Sequence, residues 1–126
     1  GPVRPSTQVE VLRGDTFKLG IPACVRMSGK LEGTPGVTLA GPHGTVALSR
    51  GTIVAARHIH MTCDEAAQRG LHDGQVVSIA FGGERGGRLD NVVVRANNTS
   101  ALDCHIDTEE ANAFGIKSGS VVEIIK

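Results

Sequence analysis

The chain has 126 residues, 13 basic against 13 acidic side chains, no Trp, no Tyr and three Phe, enough for one compact domain or a large part of a two-lobed protein. Balanced charge and scarce aromatic rings argue against a nucleic-acid surface, and no apolar run reaches the roughly 18 residues of a membrane helix. Cys24, Cys63 and Cys104 are an odd number without CxxC spacing, which indicates neither a disulfide framework nor a zinc ribbon and fits a reducing, cytoplasmic compartment.

In chain order, Ser28 to Gly36 (SGKLEGTPG) is a loop by its turn residues. Val37 to Leu39, Thr45 to Leu48, Thr52 to Ala56, Gln75 to Phe81, Arg88 to Ala96 and Ser120 to Ile125 read as strands on β-branched content. Cys63 to Arg69 and Thr108 to Phe114 read as short helices. Gly82 to Gly87 (GGERGG) lacks the strand-to-helix setting of a phosphate loop and reads as a hairpin connection. The class expected is a mixed β-barrel with short inserted helices. Residues 1–50 are assigned to one lobe with Glu10, and 51–126 to a second.

An internal repeat organises the second half. His60 to Ile79 aligns without a gap on His105 to Ile124, pairing His60 with His105, Glu65 with Glu110, Gly70 with Gly115 and Val76-Val77 with Val121-Val122. Each copy reads as a strand ending in histidine, a capped short helix, a glycine stop and a second strand. Thr62 with Glu65 has capping-box spacing, and Asp107 with Glu110 resembles it. A looser third copy begins at Val9, with Glu10 at the histidine position, Asp15 on Glu65 and Gly20 on Gly70.

In a strand, His58 and His60 of Arg57-His58-Ile59-His60-Met61 share a face while Ile59 points away. A lone HxH is more often a surface pair than a ligand pair, but His105 recurs at the same place in a duplicated unit. His58, His60 and His105, with Glu10, are therefore the expected ligands of a divalent metal, zinc first, with iron, nickel, cobalt and copper as chemical alternatives. His43 and His72 have no such partner and are expected in solvent. Cys104 is expected to pack inward, and Cys63, near a helix start, is a weaker candidate for a reactive thiolate.

The stretches GPVRPSTQVEV, RMSGKLEGTPGVTLAGPHG, GTIVAARHIHMT and HIDTEEANAFGIKSG resemble the carboxy-terminal part of the PduL family of phosphotransacylases, the phosphate propanoyltransferases of propanediol-utilising bacterial microcompartments. The resemblance implies paired β-barrels and a zinc-dependent, reversible transfer of a propanoyl or acetyl group between coenzyme A and inorganic phosphate. It implies one or two zinc ions, with His58, His60 and His105 on one and Glu10 bridging to the other. Arg4 is implied as the catalytic phosphate-holding group and Ser28 as a second phosphate contact. The family's further HxH is absent here, so the partners expected are acyl-CoA, phosphate and an amino-terminal segment or second chain, in a homo-oligomer. The alternative is a catalytically silent metal-binding module. The location implied is cytoplasmic or the microcompartment lumen.

Overall fold

The computed structural model describes residues 3–126 as a mixed α and β chain, mostly strands with three short helices. No helix among the described residues is long and apolar enough to cross a membrane. The chain divides after Ala56 into two compact units, whereas the sequence reading began its second lobe at residue 51.

The first unit carries β1 (Val9–Glu10), α1 (Arg13–Leu19), β2 (Val25–Arg26), β3 (Thr38–Gly41), β4 (Gly44–Ala47) and β5 (Thr52–Ala55). β5 is the middle strand of a three-stranded parallel sheet, with β1 and β2 on either side. Thr52, Ile53 and Val54 are all buried, as an uninterrupted β-branched run requires in a strand covered on both faces. β3 and β4 form a separate hairpin, exposed throughout. Gly36 is required where it stands, since a Cβ there would lie 1.8 Å from the Leu48 carbonyl oxygen.

α1 stands where the looser third copy puts its helix, with Asp15 at the place of Glu65 and Gly20 at the place of Gly70. Its sequence RGDTFKL has no apolar face and leaves Phe17 in solvent. End signals define it instead: the Asp15 carboxylate accepts the Leu12 N–H at 3.3 Å, and Gly20 stops the helix at φ 65°.

The second unit runs β6 (His58–Met61), α2 (Cys63–Gln68), β7 (Val76–Phe81), β8 (Gly87–Ala96), β9 (Asp103–His105), α3 (Thr108–Phe114) and β10 (Glu123–Ile125). One sheet holds its strands in the order β10-β7-β8-β6-β9, with β6 and β8 parallel and the other neighbours antiparallel. Its core is Ile59, Met61, Ala66, Leu71, Val77, Ile79, Phe81, Val92 and Val94. Phe114 stacks on Phe81 with centroids 4.7 Å apart. That stacking needs Gly87, whose Cβ would meet the Phe114 ring at 2.4 Å.

Both capping boxes form. The Glu65 carboxylate accepts the Thr62 N–H at 2.8 Å and Thr62 Oγ1 accepts the Glu65 N–H at 3.1 Å. Asp107 and Glu110 make the same reciprocal pair at 2.7 and 3.1 Å. Gly70 and Gly115 follow their helices at φ 61° and 63°. The last strand is shorter than Ser120 to Ile125, because the Ser120 N–H turns back to the Lys117 carbonyl at 3.0 Å. β9 and β10 each have one strand neighbour, so among the described residues the sheet is open.

Ile79, fully buried at the centre of this core, should lose about 2–5 kcal/mol of stability on replacement by Ala. Val46→Ala on the exposed hairpin should stay within about 0.5 kcal/mol. Urea unfolding of the two variants checks the difference, and equal losses would misplace the core.

Candidate functional site

The alternation of β6 builds the site. Ile59 and Met61 face the core, which turns His58 and His60 to the opposite side. β9 lies antiparallel beside β6 with His105 directly across from His58 and Asp103 across from His60. The ring centroids are 4.8 Å (His58 to His60), 4.9 Å (His58 to His105) and 5.0 Å (His60 to His105) apart. One ligand-type nitrogen from each ring lies within 4.8 Å of the others.

Neighbouring groups hold these rings. Ser100 Oγ stands 3.3 Å from His60 Nδ1 and donates to Asn97 Oδ1 at 2.9 Å. With the hydroxyl proton so committed, His60 bonds Ser100 through Nδ1–H and keeps the Nε2 lone pair for another partner. Asp103 Oδ2 lies 3.2 Å from His105 Nε2. Burial lowers the His60 pKa, and the nearby charges of His58, Arg95 and His105 add to that effect. The ring stays neutral to lower pH than an ordinary histidine, the form a metal requires.

Three nitrogens around one zinc at about 2.0–2.1 Å stand roughly 3.3 Å apart in tetrahedral geometry. Three imidazoles with one open position are a donor set suited to a catalytic zinc.

Glu10 closes β1 in the first unit, exposed, and accepts Gln8 Nε2 at 2.6 Å. Gln8 also donates to Ser28 Oγ at 2.9 Å and accepts the Gly29 N–H at 2.7 Å. One side chain therefore joins the two stretches that carry Glu10 and Ser28, a role sequence reasoning missed. Arg4 lines a cavity of about 220 Å³ with Ser6, Gln8, Gly29, Glu32 and Arg50, where two guanidinium groups share the lining with one carboxylate. Ser100, Asn97 and Asp103 were also missed, since Ser100 and Asp103 act only through folding back on a histidine and Asn97 only through Ser100. His43 and His72 are exposed, as expected.

A family model described as phosphate propanoyltransferase matches residues 1–117. The chain belongs to the phosphate propanoyltransferase family. Among relatives called phosphate propanoyltransferase, it is 50% identical over 126 residues to that of Rhodopseudomonas palustris, covering 100% of this chain and 56% of the relative. It is 46% identical to that of Rhodobacter capsulatus, again over the whole chain and 59% of the relative. It is 43% identical over 127 residues to that of Thermotoga maritima, covering 60% of that protein. The chain thus spans a little under three fifths to three fifths of these phosphate propanoyltransferases. The matched residues include Arg4, Glu10, Ser28, His58, His60 and His105.

Cys104 sits across from Ile59, on the side of β9 away from the rings. Burial first, then the charges of Asp103 and Glu110, pushes its thiol up to about 11. At pH 8 about one Cys104 in a thousand is then ionised. Iodoacetamide with mass spectrometric readout should label exposed Cys63 well before Cys104; labelling of Cys104 first would contradict the β9 register.

Proposed function

We propose that the chain is the major part of a zinc-dependent phosphotransacylase that moves a short acyl group, propanoyl or acetyl, between coenzyme A and inorganic phosphate. The observation that carries this reading is the convergence of His58, His60 and His105 in a member of the phosphate propanoyltransferase family. In this reading the three imidazoles would hold one zinc, and Glu10 is carried as a further metal ligand from the resemblance. Bound there, zinc would supply a Lewis acid for the thioester carbonyl or for the departing thiolate. Arg4 holds phosphate by its guanidinium fork, and Ser28 adds a hydroxyl contact. Fixed positive charge near the tetrahedral oxyanion lowers the barrier rather than merely tightening binding. A cytoplasmic or microcompartment location goes with the reading, the first suggested by the cysteine pattern and the second by the resemblance.

The same reading closes the open sheet into a barrel, with support from the repeat. β6 and β9 pair with Ile59 opposite Cys104, and β7 and β10 pair with Ile79 opposite Ile124. Each of these residues faces its own counterpart, a register that supports a two-fold relation between the copies. β8 covers the first copy, parallel to β6 and antiparallel to β7. Ile59, Met61, Ala66, Leu71, Val77 and Ile79 are buried, while Cys104, Ile106, Ala111, Ile116, Val122 and Ile124 are only half-buried. A cavity of about 630 Å³ runs along that second copy, between β9, α3 and Val122. The missing counterpart of β8 belongs there, and polypeptide corresponding to the part of the relatives beyond this chain's span is its source.

The test is release of free thiol from propanoyl-CoA. Phosphate-dependent, chelator-sensitive release is expected when the chain is combined with a polypeptide corresponding to the remaining part of a relative, and His105→Ala should remove it together with bound zinc. Full zinc occupancy without thiol release in that combination would favour a silent metal-binding module. Unchanged zinc content in His105→Ala would overturn the ligand assignment.

A further inference from the structure

We infer that Arg57 and Glu110 are a positioning pair for the three-histidine cluster: their ion pair fixes helix α3, and with it the short strand β9, against the start of β6, so that His105 is held beside His58. The inference rests on the metal-centre reading above and adds residues outside its ligand set.

Arg57 immediately precedes His58, and Glu110 lies in the first turn of α3, five residues after His105. The Arg57 Nε–H donates to Glu110 Oε1. Nη1 of the same guanidinium donates to the Asp90 carbonyl of β8 at 2.5 Å, and the Arg57 carbonyl accepts the Val93 N–H at 3.1 Å. Arg57 is thereby fixed to the central strand β8 by main chain and side chain together. Glu110 Oε2 accepts the Asp107 N–H, so one carboxylate both caps α3 and ties it to that fixed point. Both side chains are largely buried, at 29% and 19% exposure, where a charge pair is less screened than at the surface.

The first copy of the repeat shows that this tie is not needed to fold the unit. At the place of Glu110 stands Glu65, which completes its capping box with Thr62 and makes no ion pair among the described residues. At the place of Arg57 stands Leu102, 45% exposed. The first copy does not need the brace, because β6 lies between two strand neighbours, β8 and β9. β9 has three residues and one neighbour, β6, so the placement of His105 has little other support. A rigid fork spanning two acceptors suits this role, and lysine cannot reproduce it.

Two variants of the full chain isolate the effect. Glu110→Gln keeps a residue that completes a capping box and removes the ion pair. Arg57→Lys keeps the charge and removes the fork. Zinc affinity from competition with a chromophoric chelator should fall about 10- to 100-fold in each. The visible spectrum of the cobalt-loaded variants should change, while the far-ultraviolet circular dichroism of the metal-free chain stays unaltered. Glu65→Gln is the control and should keep the wild-type affinity. If Arg57→Lys fails to fold, Glu110→Gln, with its cap intact, decides alone. Wild-type zinc affinity and cobalt spectrum in Glu110→Gln overturn the inference, as does equal weakening by Glu65→Gln. Failure of the wild-type chain to bind either ion is a separate result: it removes the metal reading itself, and the role of this pair with it.

Discussion

The antiparallel pairing of β6 with β9 is the constraint on which the site depends. In a strand the side chains alternate, so the face given to Ile59 and Met61 fixes the face given to His58 and His60. The core enforces that choice: a slip of one residue would bury two imidazoles and expose two large apolar side chains. β9 obeys the same rule, with half-buried Cys104 inward and His105 outward across from His58. Hydrophobic packing on one face of the sheet thus gathers polar ligands on the other.

The three rings have compatible chemistry as well as proximity. Burial, and then the nearby charges of His58, Arg95 and His105, lower the His60 pKa. Ser100 and Asp103 each engage one ring nitrogen and leave the other to a further partner. These are the features of a cluster prepared for a cation. In the first unit, Gln8 joins the Glu10 stretch to the Ser28 loop, and Arg4 shares a cavity with Arg50. Each unit therefore presents polar groups organised by its own hydrogen bonds.

Much of this was legible in the sequence. The HxH spacing, the recurrence of His105 and the capping residues Thr62, Glu65, Asp107 and Glu110 are local patterns, and local patterns survive without knowledge of the fold. α1 was legible only through the looser third copy, because RGDTFKL lacks an apolar stripe and is defined by Asp15 and Gly20. Ser120 to Val122 reads as strand by composition, yet those residues follow the turn at Ser118–Gly119 without joining a strand, and pairing begins at Glu123. Arg57 with Glu110, and Ser100 with His60, join residues 53 and 40 positions apart, and no spacing rule reaches that far. The closed barrel was expected from the repeated strand-helix-strand unit and from the family resemblance, whereas the sheet has two free edges among the described residues.

The central claim is that His58, His60 and His105 share one ion. Zinc K-edge X-ray absorption on the zinc-loaded chain tests it most directly. The account expects a first shell of nitrogen or oxygen at about 2.0 Å with outer-shell scattering from three imidazole rings. A first shell of oxygen alone, or one containing sulfur and fewer than two imidazoles, would contradict it.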